Sequence, residues 1–131
     1  MNNKPTIYFG NFPSSQKLKD IVPVAITSGI PTWYHGLRYK ALAPEYQLTC
    51  YLRNLQKNNL LTKKDIADIT KQYIADVLVG RTPDSLFEEI KEVCGSDKFC
   101  LISYESAGEF SHRDIIKIFF EQGGYSCVQI I

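Results

Sequence analysis

The run Phe99-Cys100-Leu101-Ile102-Ser103 is apolar at consecutive positions rather than alternate ones. A strand with one wet face alternates apolar and polar residues. A continuous run belongs to a strand buried on both faces, which is the habit of parallel sheets. Comparable runs recur over 6–9, 22–27 and 125–131, and this run itself extends over 98–104. Segments with helical spacing separate them. Parallel neighbours need crossover connections, and helices in those connections cover the sheet. The pattern predicts a small three-layer α/β domain: a mainly parallel four-stranded sheet with helices on both faces. At 131 residues the chain has the length of one domain, so residues 1–131 form a single α/β unit.

The connections supply the helices. Ser14 and Ser15 can cap a short helix over 16–20, with Leu18 and Ile21 facing inward. Pro44 suits the first position of a helix whose Tyr46, Leu48, Tyr51, Leu52 and Leu55 recur at steps of three and four. Thr62 caps the next, with Asp65 at its third position and a stripe of Ile66, Ile69, Tyr73, Ile74 and Val77, ended by Gly80. Thr82-Pro83-Asp84 opens another, carrying Leu86, Phe87, Ile90 and Val93 inward and stopping at Gly95. Ser111, or the residue before it, caps a helix that runs to Glu121 and halts at Gly123-Gly124. The expected core includes Ile7, Val24, Ile26, Leu52, Ile69, Ile74, Phe87, Leu101, Ile115 and Phe119. Residues 29–44 keep neither period. They hold Trp33 and two tyrosines and read as a long ordered loop.

Several classes of function are disfavoured. Fifteen basic and fourteen acidic residues give a net charge of +1, far from the excess a dedicated nucleic-acid coat needs. A hydrophobic fraction of 44% argues against a disordered chain. The first ten residues lack the apolar core of a secretory signal, and no window approaches a spanning helix, so the expectation is a cytoplasmic protein without membrane contact. Cys50, Cys94, Cys100 and Cys127 form no CxxC pair and have no His at zinc spacing. They read as buried thiols, with no metal site expected. The chain carries neither a P-loop nor a GxGxxG fingerprint, so no nucleotide cofactor is expected.

Ligands of open parallel sheets sit outside the carboxyl ends of the strands. Three unusual loops follow strand ends, over 10–15, 27–44 and 104–113, so sequence order predicts one shared crevice. The densest runs from Ser103 through Glu105 to Ser111-His112-Arg113. The last three fall in the first turn of a helix, where unpaired N–H groups and the dipole favour an anion. Arg113 can grip a phosphate or carboxylate in bidentate fashion, and His112 can shuttle a proton near neutrality. Glu105 can act as a base or hold a sugar hydroxyl. The same residues also read structurally: Ser111 as a cap, Arg113 paired with Glu109 one turn back, Glu105 as a solvated charge.

The second segment interleaves Trp33, Tyr34, His35, Arg38, Tyr39 and Lys40, a mixture able to stack a ring and neutralise a phosphate. It reads equally as a lid packed on its own aromatics. The ligand-binding candidates are Trp33, Arg38, Tyr39, Lys40, Ser103, Ser111 and Arg113, with Glu105 and His112 as catalytic candidates if a reaction is run.

Two motifs carry a resemblance. Pro31-x-Trp33-x-x-Gly36-x-x-Tyr39-x-x-Leu42-Ala43-Pro44 and Ser103-x-Glu105-x5-Ser111-His112-Arg113 resemble those of the small-protein branch of the domain-of-unknown-function 488 family, and the likeness runs from Ile7 to the last strand. The family's signature is Cys-x-Glu-x5-Cys-His-Arg. The resemblance implies an α/β fold and a site that gathers Glu105, His112, Arg113, Trp33 and Tyr39. Both signature cysteines are serine here, at Ser103 and Ser111, so thiolate chemistry at those positions is lost. Ser28 stands where the branch often carries an arginine.

Three functions compete. The leading one is a non-catalytic protein that captures or senses a small anionic, nucleotide- or nucleoside-like ligand in the strand-end crevice. The second is an enzyme that cleaves or transfers a glycosidic bond with Glu105 and His112, although no pair of carboxylates is evident. The third is a nucleic-acid accessory protein that contacts phosphates through Arg38, Lys40, Arg53 and Lys57, which the charge balance makes the weakest.

Overall fold

The strands pair as the apolar runs require. A computed structural model describes residues 4–106 and 108–130; Ile131 of the expected last strand and Ala107 of the signature spacer lie outside the described residues. The strands are β1 (Thr6–Asn11), β2 (Val22–Ala25), β3 (Leu37–Arg38), β4 (Phe99–Ser103) and β5 (Ser126–Gln129). They form one sheet in the order β3-β2-β4-β1-β5, and every pairing is parallel. The sheet therefore has five strands rather than four. The addition is the two-residue β3, which pairs Leu37 with Val24 and Arg38 with Ala25 inside the segment read as loop. A strand that short leaves no periodicity to detect.

All carboxyl ends point to one edge. The chain crosses the sheet in opposite directions after β1 and after β3, so crossovers of one hand must lie on opposite faces. One face, carrying Ile7, Phe9, Val24, Phe99 and Leu101, packs against Tyr73, Val77, Leu86, Ile90, Ile116 and Phe120 from the helices. The other face is covered by less regular chain. There Ala25, Cys100 and Ile102 meet Phe12 and Tyr34, with Leu18, Ile21 and Ile30 packed alongside. Strand β4 is buried along its whole length.

The helices are α1 (Phe12–Ser15), α2 (Tyr46–Lys57), α3 (Lys63–Tyr73), α4 (Pro83–Cys94) and α5 (His112–Gln122). The caps at Thr62, Thr82 and Ser111 close reciprocally with Asp65, Ser85 and Asp114. Gly95 ends α4 in the left-handed conformation that glycine adopts without strain.

Four local readings are corrected. The short helix after β1 lies at Phe12–Ser15, not over 16–20, because Asn11 takes the cap: its side chain accepts from the Ser14 N–H, and Ser14 Oγ accepts from the Asn11 N–H. Helix α2 begins at Tyr46, one residue after an extended Glu45, so Pro44 precedes the helix. The stripe of α3 fails at Ile74, which is 46% exposed, because the chain widens there into a π-helix over Ile74–Leu78. The added residue rotates the face and turns Val77 and Leu78 inward together. Val93 is likewise exposed at the end of α4. Most of the remaining expected core is buried, with Phe119 partly so.

Candidate functional site

A cavity of about 560 Å³ opens at the carboxyl edge of the sheet. The turn after β2 (Thr27, Ser28, Gly29) and the turn after β4 (Tyr104, Glu105) supply one side. Helix α2 closes the other with Tyr46, Thr49, Leu52 and Arg53 on one face. Ile69 and Tyr73 of α3 and His112 of α5 complete the lining. Of the three loops expected to share one crevice, those after β2 and β4 meet here, with α2 as the facing wall, whereas no residue of 10–15 is part of the lining.

His112 sits in the first turn of α5 because Ser111 caps that helix. Its imidazole is 7% exposed and lies 5.7 Å from the Tyr73 ring, centroid to centroid. Nε2–H donates to the Ile26 carbonyl at 2.8 Å, since a carbonyl can only accept. That bond assigns the proton to Nε2 and leaves a lone pair on Nδ1. Burial pushes the pKa from 6.5 down to about 4, with the Arg113 charge acting in the same sense and the Ile26 bond and Asp114 opposing. The ring is neutral near pH 7.

Tyr104 is the pivot of the outer wall. Its ring packs against Phe12 at 4.6 Å between centroids, and the Arg53 guanidinium lies over it at 5.4 Å. Tyr73 is fully buried and donates its hydroxyl to the Leu42 carbonyl at 2.7 Å. Burial raises the pKa of that phenol.

Arg113 behaves differently from its expected role. Its side chain is core, at 1% exposure, which corrects the reading of it as a peripheral anion contact. Nη1 donates to the carbonyls of Gly10 at 2.7 Å and Glu105 at 2.8 Å, and Nη2 to that of Ser106 at 3.2 Å. The guanidinium thus ties the carboxyl end of β1 to the turn after β4. The pairing with Glu109 does not form; Glu109 accepts from the Ser106 N–H. The end of α5 is also occupied: Ser111 Oγ takes the Arg113 N–H, and Asp114 takes the Ser111 N–H. Ser103 and Ser111 are fully buried, their hydroxyls 3.1 Å apart.

Of the other ligand-binding candidates, none lines the cavity. Trp33 stands 43% exposed and meets edge-on Phe12, a member of the cluster on the opposite face of the sheet from His112. Arg38 donates to the Ser28 carbonyl at 2.8 Å. Tyr39 donates to Glu89 at 2.6 Å, in a cluster with Arg81 away from the crevice. Lys40 is an exposed member of a 3₁₀ turn. Glu105 and His112, with Arg53 from the nucleic-acid reading, are the sequence-derived candidates that the cavity brings together. Sequence reasoning assigned Leu52 and Ile69 to the core and overlooked Tyr46, Thr49 and Tyr73, because a helix stripe facing a cavity reads like one facing the core. The signal available was Tyr46, Thr49 and Arg53, polar-tipped residues at steps of three and four beside that stripe.

Among the described residues no group of three His, Cys, Asp or Glu side chains is arranged to hold a metal ion, and no helix is long and apolar enough to cross a membrane. All four cysteines are free; Cys100 is buried, whereas Cys50 is exposed, against the expectation of four buried thiols. Fold and cavity together define a small parallel α/β domain with a ligand-sized opening at its strand edge. No protein-family model, no curated protein and no solved structure matches this chain.

Proposed function

We propose that this protein captures a small nucleotide- or nucleoside-like ligand in the strand-edge cavity and does not turn it over. The observation that carries the reading is the cavity itself: about 560 Å³, walled by Tyr46, Tyr73 and Tyr104, with Glu105, His112 and Arg53 among its polar lining. That volume and mixture suit one heterocycle with its sugar. Arg53 offers its charge beside Tyr104, where an anionic group of the ligand would lie. Of the residues that the resemblance to the domain-of-unknown-function 488 family would gather, Glu105 and His112 line this cavity, whereas Trp33, Tyr39 and Arg113 do not.

Turnover is the weaker reading for a chemical reason. Glycosidic cleavage needs a proton donor for the leaving group. His112 is neutral near pH 7 and its N–H is engaged by the Ile26 carbonyl. Glu105 is the only carboxylate among the described residues of the lining. Nucleic-acid binding draws on Arg38, Arg53, Lys40 and Lys57, but Arg38 is bound to Ser28, and Arg53 leans on Tyr104.

The test is thermal unfolding of the full chain with each of the four common ribonucleoside 5′-monophosphates, beside Thr49→Trp. Saturation at about 100 times Kd stabilises by about 2.7 kcal/mol. For a domain of this size that raises Tm by about 8–13 °C. The half-buried indole at position 49 fills the cavity and removes the shift. No shift with any nucleotide, or an undiminished shift in Thr49→Trp, overturns the proposal.

A further inference from the structure

The hydrogen-bonding groups on the buried and half-buried residues of the cavity are unevenly divided between donors and acceptors; the other donor-bearing side chains of the lining, Ser28, Tyr46, Arg53 and Tyr104, belong to exposed residues. Thr27 Oγ1–H donates to the Gly29 carbonyl, and Thr49 Oγ1–H to the Glu45 carbonyl at 3.3 Å. The Tyr73 hydroxyl donates to Leu42, and His112 Nε2–H to Ile26. Each of these side chains commits a proton to a backbone carbonyl and keeps a lone pair. Arg113, which follows His112 in the chain, is engaged by three carbonyls.

The acceptors, in contrast, are free. Glu105 lines the cavity, and its carboxylate takes no hydrogen bond from a described residue. His112 Nδ1 likewise has no partner among the described residues. Arg113 Nε is the one buried side-chain nitrogen or oxygen there that is both enclosed and unpartnered. The His112 ring lines the cavity, and Nδ1 is its one nitrogen left with a lone pair to offer a ligand there. Leaving such acceptors unpaired in a desolvated complex costs about 1–3 kcal/mol each, so a ligand without donors is penalised.

We infer that the inner end of the cavity selects a planar heterocycle with a pair of adjacent N–H donors, the edge that guanine presents, read by the Glu105 carboxylate and His112 Nδ1. This rests on the capture reading and specifies its ligand. Glutamate accepts two parallel N–H bonds in the geometry that an amidine-type edge offers. Hypoxanthine has the same ring but lacks the amino group, so it supplies one donor where guanine supplies two. A site built to hydrogen-bond a group rejects the analogue lacking it far more strongly than an apolar pocket rejects a missing methylene.

Calorimetric titration of the full chain with guanosine 5′-monophosphate and inosine 5′-monophosphate tests this, in wild type and Glu105→Gln. Wild type is expected to bind the guanine nucleotide about 10- to 100-fold more tightly. Glu105→Gln, in which one acceptor oxygen becomes a donor, is expected to bring the ratio to within about threefold. Circular dichroism of the variant, matching wild type, separates lost recognition from lost fold. Equal affinities in wild type, or a ratio unchanged by Glu105→Gln, overturn this assignment while leaving nucleotide capture intact. Binding of other ribonucleotides but of neither purine tested overturns the guanine-type edge alone. Binding of none overturns both readings.

Discussion

Removing the Arg113 guanidinium is the most informative single perturbation of the fold. The side chain is 1% exposed and holds three backbone carbonyls, of Gly10, Glu105 and Ser106, at 2.7, 2.8 and 3.2 Å. No carboxylate lies within 4 Å of it among the described residues; carbonyl dipoles compensate its charge. Burial accordingly lowers its pKa, opposed by Asp114 and Glu105. In Arg113→Ala three acceptors lose a charged donor. Stranding them costs about 1–3 kcal/mol each. The gross loss is partly offset because a buried charge is also removed, and because the exposed turn at Ser106 can take water. The net expectation is about 3–5 kcal/mol, with Arg113→Lys losing about half as much because an ammonium cannot span three carbonyls divided between a strand end and a turn. Urea unfolding of wild type and both variants measures this. Hydrogen exchange should rise across 104–110 in Arg113→Ala, where the clamp is lost. Arg113→Ala within 1 kcal/mol of wild type, or Arg113→Lys equal to Arg113→Ala, refutes the clamp and returns the residue to a ligand role.

Three further outcomes follow from the same coordinates. His112 has a folded pKa of about 4 against 6.5, so its stabilising share is full above 6.5 and lost as pH falls from 6.5 through 4. That loss amounts to about 3 kcal/mol, and Glu89 and Asp84, whose pKa values are lowered, add theirs only at more acidic pH. His112→Gln, able to donate to the same carbonyl, should flatten the stability profile between pH 6.5 and 4; identical slopes in the two proteins exclude the assignment. Gly36→Ala drives a methyl into Tyr34 Oη and must break the bond from that hydroxyl to Leu37, so a loss of about 2–3 kcal/mol is expected in thermal unfolding. A thiol reagent on the native protein should modify Cys50 rapidly and leave Cys100 untouched, because burial holds the Cys100 thiol up at about 12; mass spectrometry of the labelled peptides reads this directly.

The fold was legible where burial writes itself into consecutive residues. Phe99–Ser103 is apolar throughout because helices cover one side of it and Phe12 and Tyr34 the other. The caps at Thr62, Thr82 and Ser111 were legible because capping is a local exchange of hydrogen bonds. What escaped depends on distant partners. The widening at Ile74–Leu78 has no marker in its own residues, and β3 exists only through its pairing to β2. The site was half legible. Glu105 and His112 stood out by chemistry, but the sequence does not reveal that Arg113 points inward to carbonyls rather than outward to an anion. An Arg at a helix start serves either purpose, and the choice lies with Gly10, a hundred residues earlier.

Strand order also governs when the sheet can assemble. The first strand of the chain occupies an interior position, and both its neighbours, β4 and β5, come from the last third of the sequence. During synthesis, Thr6–Asn11 must wait with both edges unsatisfied until residues beyond 99 and then 126 emerge. Only β2 and β3 can pair early, and over two rungs. Closure of such long loops slows folding and leaves Ile7 and Phe9 exposed to other chains meanwhile. Truncation before Ser126 would make β1 a permanent open edge, so a shortened chain should aggregate through its N-terminal strand even though every residue of the cavity is still present.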